Sequence, residues 1–360
     1  MKAAIRRGDS LVVDTIVDPV PGAGEVLVKT LACGICGSDL HILHRCDEFL
    51  PAVKKAGLPM FDFNPVQDMV FGHEFCAEVV DYGPQTQRRL KPGTRVCSVP
   101  LFITTGGIEA LGYSNRYPGG YGEFMLLQET NLLPVEGDLP SDLAALTEPL
   151  SVAVHAVNKA RLHGDEVPIV VGCGPIGLAT IITLKARGIG PIVASDFSRG
   201  RRALAEALGA DVVVDPAKDS PYQHWLDLAA PADYDPRNPL TVLGIGPQPR
   251  PCVVFECVGV PGIIQRIMTD APSRTRIVVA GVCMGSDTFE PQIGIFKEFD
   301  MTFSFGYSGD EFADTLRQLS DGKIDAGRLI TGKVSVEGVA QAFDTLARAE
   351  EHAKIMITYD

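Results

Sequence analysis

The run VPIVVGCGPIGLATIITL, residues 167–184, carries no charge over eighteen positions and is interrupted near its middle by glycine and proline. That length touches the lower bound for a membrane span, but Gly172, Gly174 and Pro175 divide it into a β-branched strand, a tight turn and an apolar helix. Similar units follow: strand PIVAS, helix RGRRALAEALG, strand DVVVD, strand CVVFECV, helix GIIQRIM, then strands RIVVAGV and MTFSF. Fully apolar strands alternating with amphipathic helices predict an α/β fold with a doubly wound parallel sheet, covered on both faces. No membrane partner is expected.

The loop GCGPIG, Gly172 to Gly177, joins that strand to that helix. Gly172 allows the tight turn, Gly174 lets backbone approach a pyrophosphate, and Gly177 permits close helix–strand packing. Pro175 and Ile176 open the helix, whose N-terminus favours phosphate. Asp196 ends the next strand, nineteen residues beyond Gly177, where a dinucleotide fold places the acid that binds the adenosine ribose hydroxyls. The alternative is a turn whose glycines serve packing alone, with Asp196 capping a helix. A 2′-phosphate about 4 Å from Asp196 costs roughly 4 kcal/mol per charge at an effective dielectric of 20, so NAD is expected over NADP. Arg199, Arg201 and Arg202 soften that preference if they pair with phosphate, Arg201 being counted among the cofactor residues; a solvated helix face is the other reading. Val258, Val282 and Phe305 are expected beside the nicotinamide at strand ends, and Lys354 near the pyrophosphate.

Before this region βα alternation is missing. KAAIRR, SLVVDTI, EVLVKTLA, FCAEVVDYG, TRVCSV and GEFMLLQ are short β-prone runs between Gly, Pro and Asp. After about residue 306, a helix, a strand, a helix and a final strand are expected, able to extend either domain. The Pro-rich stretches 49–68 and 231–251 are read as insertions or long loops. A net charge of −13 argues against nucleic acid and for small-molecule partners. Nine cysteines, an odd number, and an N-terminus without a leader pattern predict a cytoplasmic protein with reduced thiols.

GICGSDLH, FGHEF, EPLSVAVH and GCGPIG occur in that order. With them the chain resembles the zinc-dependent medium-chain dehydrogenases, most of all the branch of sorbitol, threonine and butanediol dehydrogenases. The resemblance implies a GroES-like β-rich catalytic domain, residues 1–149 and 306–360, a Rossmann domain at 150–305 inserted into it, and a catalytic zinc in the cleft between them. It makes Cys36 and His73 zinc ligands and Glu148 the third, with Glu74 able to alternate or orient the shell. Thiolate, imidazole and carboxylate are all zinc donors, and a catalytic site keeps one position open. Ser38 is implied to contact the substrate oxygen and His41 to pass the proton to solvent, with Asp39 fixing a ligand imidazole. Helix capping is the other reading of Ser38 and Asp39, and a redox CxxC that of Cys33 and Cys36. Cys33 is taken as a core thiol, and Cys76, Cys97, Cys173, Cys252, Cys257 and Cys283 as buried ones. His155 is read as a helix or core residue; His44 and Cys46 are unassigned.

The implied reaction moves a hydride between a secondary alcohol, or its ketone, and NAD. A zinc-free quinone or alkene reductase and a non-catalytic, nucleotide-sensing relative are the rivals, both disfavoured by the complete ligand and relay positions. A homodimer or homotetramer is implied, formed partly through the sheet edge MTFSF. Two departures stand out. The region that often carries four cysteines for a structural zinc has Cys97 alone, so a single zinc is expected. The spacing between His41 and His73 is unusually long, and its segment is expected to be a lid or wall of the substrate cleft, with Phe49, Met60, Phe61 and Phe63 in apolar contact, or else a surface loop or subunit contact.

Overall fold

The computed structural model describes residues 1–104, 106–235, 237–242, 244–348 and 352–359. They form two compact units, Met1–Ser151 with Ser308–Asp360, and Val152–Tyr307.

The second unit carries six strands, all parallel: Val212–Val214, Val193–Ser195, Val167–Val171, Cys252–Glu256, Arg276–Val279 and Asp300–Phe303, in that spatial order. The chain starts in the middle, winds outward through two strands, then returns across the first to build the other half. That reversal lies between Val167–Val171 and Cys252–Glu256, and it opens a crevice at the carboxyl ends of the strands. Cys252–Glu256 is buried throughout, as a central strand covered on both faces must be. The charge-free run divides into strand Val167–Val171 and helix Pro175–Ala186, buried from Gly177 to Leu184. No described helix is long and apolar enough to cross a membrane.

Glu166 precedes the first of these strands and is fully buried, yet it is well satisfied. It accepts from the backbone N–H of His163 at 3.0 Å and of Gly164 at 2.9 Å, and from the Arg276 guanidinium. Against the opposing effect of burial, these donors draw its pKa from the usual 4.5 to about 2. A depressed carboxyl contributes stability that is fully present above about pH 4.5 and disappears as pH falls through about 2. Glu166→Gln is therefore expected to cost roughly 2–3 kcal/mol at pH 7 and to flatten the loss of melting temperature on acidification towards pH 3. Calorimetry of the full chain at both pH values checks this; equal acid sensitivity in the two proteins would refute it.

In the first unit, one sheet runs Leu132–Pro134, Arg95–Ser98, Glu74–Tyr82, Glu25–Gly34, Lys354–Thr358, Ile330–Val334, with Phe124–Gln128 also paired to Glu25–Gly34. The C-terminal segment thus joins this unit, and its last strand lies antiparallel to Glu25–Gly34 with Met356 opposite Gly34. A smaller sheet orders Ser10–Thr15, Lys2–Arg7 and Met69–Val70. Strands Leu101–Thr104 and Gly107–Ala110 form a hairpin in the region that holds Cys97 alone.

The stretch 49–68, expected as a loop, is half helical. Helix Gly37–Lys55 runs through Pro51, with a non-helical break at Arg45. Pro51 is exposed, so the carbonyl it leaves unbonded meets water and the usual cost is reduced. The helix stops at Gly57, with Leu58 N–H donating to Val53 O and Gly57 N–H to Lys54 O, a Schellman closure. All nine cysteines are free thiols. Cys257 and Cys283 are half-exposed rather than buried, because each follows its strand into the loops at the carboxyl edge.

Candidate metal centre and cofactor loop

Strand register brings the first cluster together. Glu74 lies opposite Gly34 across the antiparallel pair Glu25–Gly34 and Glu74–Tyr82, which sets His73 and Glu74 beside the residues entering the next helix. Cys36 is the N-cap of that helix, in extended conformation. Among the described residues, Cys36, His73 and Glu74 bring a sulfur, an imidazole nitrogen and a carboxylate oxygen within 4.8 Å of one another. Such a soft–borderline–hard donor set suits Zn²⁺. His73 is 9% exposed, and its Nδ1 is buried 3.6 Å from Asp39 Oδ1, beyond hydrogen-bond reach. Burial disfavours charge on this ring, but Asp39 and Cys36 together raise its pKa well above the ordinary value. A ring so strongly drawn towards positive charge, with a carboxylate behind it, fits a cation ligand.

The ligand set carries its own counter-ion. Lys354, 1% exposed, donates to both oxygens of Glu74 at 2.7 Å and to the Ile35 carbonyl at 3.1 Å. Lys354 was expected near the pyrophosphate; its described hydrogen bonds go to the ligand cluster instead, because the C-terminal strand lies beside Gly34. Glu148, half-exposed in helix Thr147–Lys159, is outside the group of three but close enough to raise the pKa of both His73 and Lys354.

Ser38 Oγ lies 3.0 Å from Cys36 Sγ and 2.7 Å from the hydroxyl of Tyr113. Asp39 is fully buried and accepts from Tyr113 and Tyr121 hydroxyls, each at 2.8 Å, and from the Cys36 N–H at 3.0 Å. Burial raises the Asp39 pKa against these donors. Capping and site support thus coincide in one residue. Tyr113 and Tyr121 went unforeseen. His41 is half-buried one turn along the helix, with its pKa lowered by burial and by Arg45.

An aromatic wall adjoins the cluster. Phe61 meets Phe49 at 5.6 Å between ring centroids and Tyr113 at 5.9 Å. Asn115 fastens this segment, donating to the carbonyls of Asn64 at 3.2 Å and Asp68 at 3.3 Å, while buried Arg6 donates to Pro65 O at 2.8 Å.

In the second unit, Gly172 takes φ +93°, and a Cβ there would stand 2.6 Å from Val258 Cγ2. A Cβ on Gly177 would stand 1.8 Å from the Gly172 carbonyl oxygen; helix and turn touch without space for a side chain. Gly174 caps the helix, Pro175 takes its first turn and Ile176 follows. Asp196 accepts from Cys173 N–H at 2.8 Å and Ser198 N–H at 2.7 Å. Arg201 Nη1 lies 3.9 Å from the position of a Gly174 Cβ, and its buried Nε has no partner. An orphaned guanidinium nitrogen beside open backbone is a cradle for an anion. Arg202 is otherwise engaged, donating to Asp196 O at 2.7 Å and pairing with Asp215 at 3.4 Å. Val258, Val282 and Phe305 are 40%, 59% and 62% exposed at or just beyond the carboxyl ends of their strands, an apolar edge available to a flat ring.

The family profile described as alcohol dehydrogenase GroES-like domain matches residues 22–137, and that described as zinc-binding dehydrogenase matches 175–321. The chain is 29% identical to (R,R)-butanediol dehydrogenase of Bacillus subtilis over 354 residues, 96% of this chain and 95% of that protein. It is 29% identical to L-threonine 3-dehydrogenase of Thermococcus kodakarensis, over 94% of this chain and 91% of that one. The crystal structure of 2R,3R-butanediol dehydrogenase from Bacillus subtilis superposes with a TM-score of 0.81 at 28% identity, covering 100% of this chain and 99% of its own. With a ligand cluster, a dinucleotide loop and relatives over its whole length, the chain belongs to the zinc-dependent medium-chain alcohol and polyol dehydrogenases, enzymes that act on CH–OH groups.

Proposed function

We propose that this enzyme oxidises a secondary alcohol to its ketone, or the reverse, with NAD, and binds one zinc ion through Cys36, His73 and Glu148. The observation that carries this reading is the meeting of Cys36, His73 and Glu74 within 4.8 Å, with Ser38 in hydrogen-bond contact with Cys36. The Lys354–Glu74 ion pair is neutral by itself, so Cys36 and Glu148 supply the two negative charges that balance Zn²⁺, while Glu74 alternates or orients the shell. When bound, zinc supplies Lewis acidity that favours ionisation of a hydroxyl near neutral pH.

The protein's own side chains do the rest. Oxidation removes a proton from the hydroxyl and a hydride from the carbinol carbon. Ser38 takes up the proton as it gives up its own, and His41 passes a proton outward. Asp39 sets its carboxyl 3.6 Å behind His73 Nδ1 and favours positive charge there. Val258, Val282 and Phe305 give the nicotinamide an apolar bed, the glycine loop and Arg201 hold the pyrophosphate, and Asp196 takes the adenosine ribose hydroxyls. Asp196 favours NAD over NADP.

The relatives are named for butanediol and threonine; the wall of Phe49, Phe61 and Tyr113 favours a bulkier, less polar alcohol here. Ile295, Phe296 and Phe303, exposed at 73%, 74% and 62% on and beside the sheet edge Asp300–Phe303, support assembly into a dimer or tetramer. Nine free thiols support a reducing compartment, the cytoplasm. The test is a panel of vicinal diols, polyols, aryl and alicyclic alcohols with NAD and NADP, before and after chelation, alongside metal analysis. Expected are NADH formation faster than NADPH formation, loss of rate with zinc, and a single zinc per chain. Activity that survives complete zinc removal, or two zincs per chain, would sink the corresponding part.

A further inference from the structure

We infer that the buried Glu256 carboxylate, with Asp287 behind it, is a specificity-determining charge beneath the nicotinamide bed, favouring the oxidised, cationic cofactor over the reduced one. The inference rests on the dehydrogenase reading above, with Val258 and Val282 against the nicotinamide, and deepens it at the cofactor. Glu256 ends the central strand Cys252–Glu256 and is 1% exposed. Its Oε1 accepts from the Val258 N–H at 2.6 Å and from the Gly259 N–H at 2.8 Å. Its Oε2 lies 2.7 Å from where a Gly281 Cβ would stand. The carboxylate therefore fills the space between segments 257–259 and 280–282, the two that present Val258 and Val282 at the surface.

A neutral side chain can accept the same hydrogen bonds, whereas a buried charge without a cation is costly. Here the charged side chain that acts on Glu256 is a second carboxylate, Asp287. Asp287 Oδ1 accepts from the Gly262 N–H at 2.8 Å and the Thr288 N–H at 2.7 Å, while its Oδ2 is buried and has no partner. Burial pulls the Glu256 pKa upward, and the N–H groups of Gly259, Val258 and Gly281 oppose it. Negative charge is thus gathered under an apolar bed. The oxidised nicotinamide ring carries one positive charge, and the hydride that reduces it cancels that charge. A ring lying on Val258 is separated from the carboxylate by one N–H and one valine side chain, a span of roughly 8 Å. At an effective dielectric of about 20 to 40, a unit charge at that distance alters an equilibrium by about six- to thirty-fold. The reduced ring feels no such attraction, so the charge draws NAD⁺ in and lets NADH leave.

The test is separate titration of NAD⁺ and NADH into the zinc-loaded full chain at about pH 8, well above the carboxylate range. Glu256→Gln keeps an acceptor for Val258 and Gly259 and removes the charge. Its Kd for NAD⁺ is expected to rise about six- to thirty-fold, while Kd for NADH moves less than about twofold. Where this variant melts as the parent does, the ratio of its two Kd values decides. Where it melts early, Asp287→Asn decides instead, with the ratio expected to shift the same way by at least about twofold. Equal weakening of both cofactors in the deciding variant means that the carboxylate only holds its loops, and overturns the inference; so does an unchanged affinity for both. A parent chain that binds neither cofactor defeats the reading on which the inference rests, a distinguishable result.

Discussion

Cys36→Ala is expected to yield a folded protein that retains little zinc after dialysis and has lost roughly a thousand-fold or more in kcat/KM for its alcohol, several kcal/mol of transition-state stabilisation. The fold survives because Cys36 is half-exposed at a helix N-cap and its backbone N–H, which donates to Asp39, is untouched by the substitution. The zinc does not, because the thiolate is the one soft donor in the cluster and half of the negative charge assigned to the ligands. Glu74→Gln provides a contrast. Its carboxylate is bound on both oxygens by Lys354, so this variant is expected to keep more zinc than Glu148→Gln. Metal analysis per chain, melting temperature and steady-state rates check the series. Full zinc occupancy at parental rate in Cys36→Ala would remove Cys36 from the ligand set, and a greater zinc loss in Glu74→Gln than in Glu148→Gln would exchange the two glutamates.

What could be read from the sequence had a local signature. The GCGPIG loop and Asp196 are visible because turn, helix start and strand end fall at fixed offsets. Cys36 and His73 are visible only as members of ordered motifs, since their meeting depends on the register of two strands. The contacts that escaped are long-range. Tyr113 reaches Asp39 across 74 residues, and Lys354 reaches Glu74 across 280; no periodicity announces either pair, and a lysine in a C-terminal strand reads as cofactor-facing until sheet order puts it beside Gly34. The helix through Pro51 escaped for a local reason. Proline and the polar run around it outweighed a stop signal that was present, Lys54 and Lys55 followed by Gly57.

The glycine loop supplies a pair of variants that separate packing from cofactor binding. In Gly177→Val the new Cβ would lie 1.8 Å from the Gly172 carbonyl oxygen and 3.4 Å from Val170 Cγ1, so helix Pro175–Ala186 must move away from the strand that precedes it. Because that helix is buried along most of its length, the displacement costs stability as well as the site. Saturable NAD binding is expected to vanish, with a melting temperature several degrees below the parent. In Gly174→Ala, by contrast, the added Cβ meets nothing nearer than Arg201 Nη1 at 3.9 Å, and the extended φ of −71° suits alanine. The protein itself therefore has no reason to reject it. If the glycine is there only for packing, the variant behaves as the parent. If backbone at this turn approaches a pyrophosphate, the methyl group stands where the ligand belongs, and Kd for NAD is expected to rise roughly ten- to a hundred-fold at unchanged melting temperature. Titration calorimetry with NAD on both variants decides between the two. Unaltered NAD affinity in Gly174→Ala would mean that the cofactor does not use this loop, whatever Gly177→Val does to the fold.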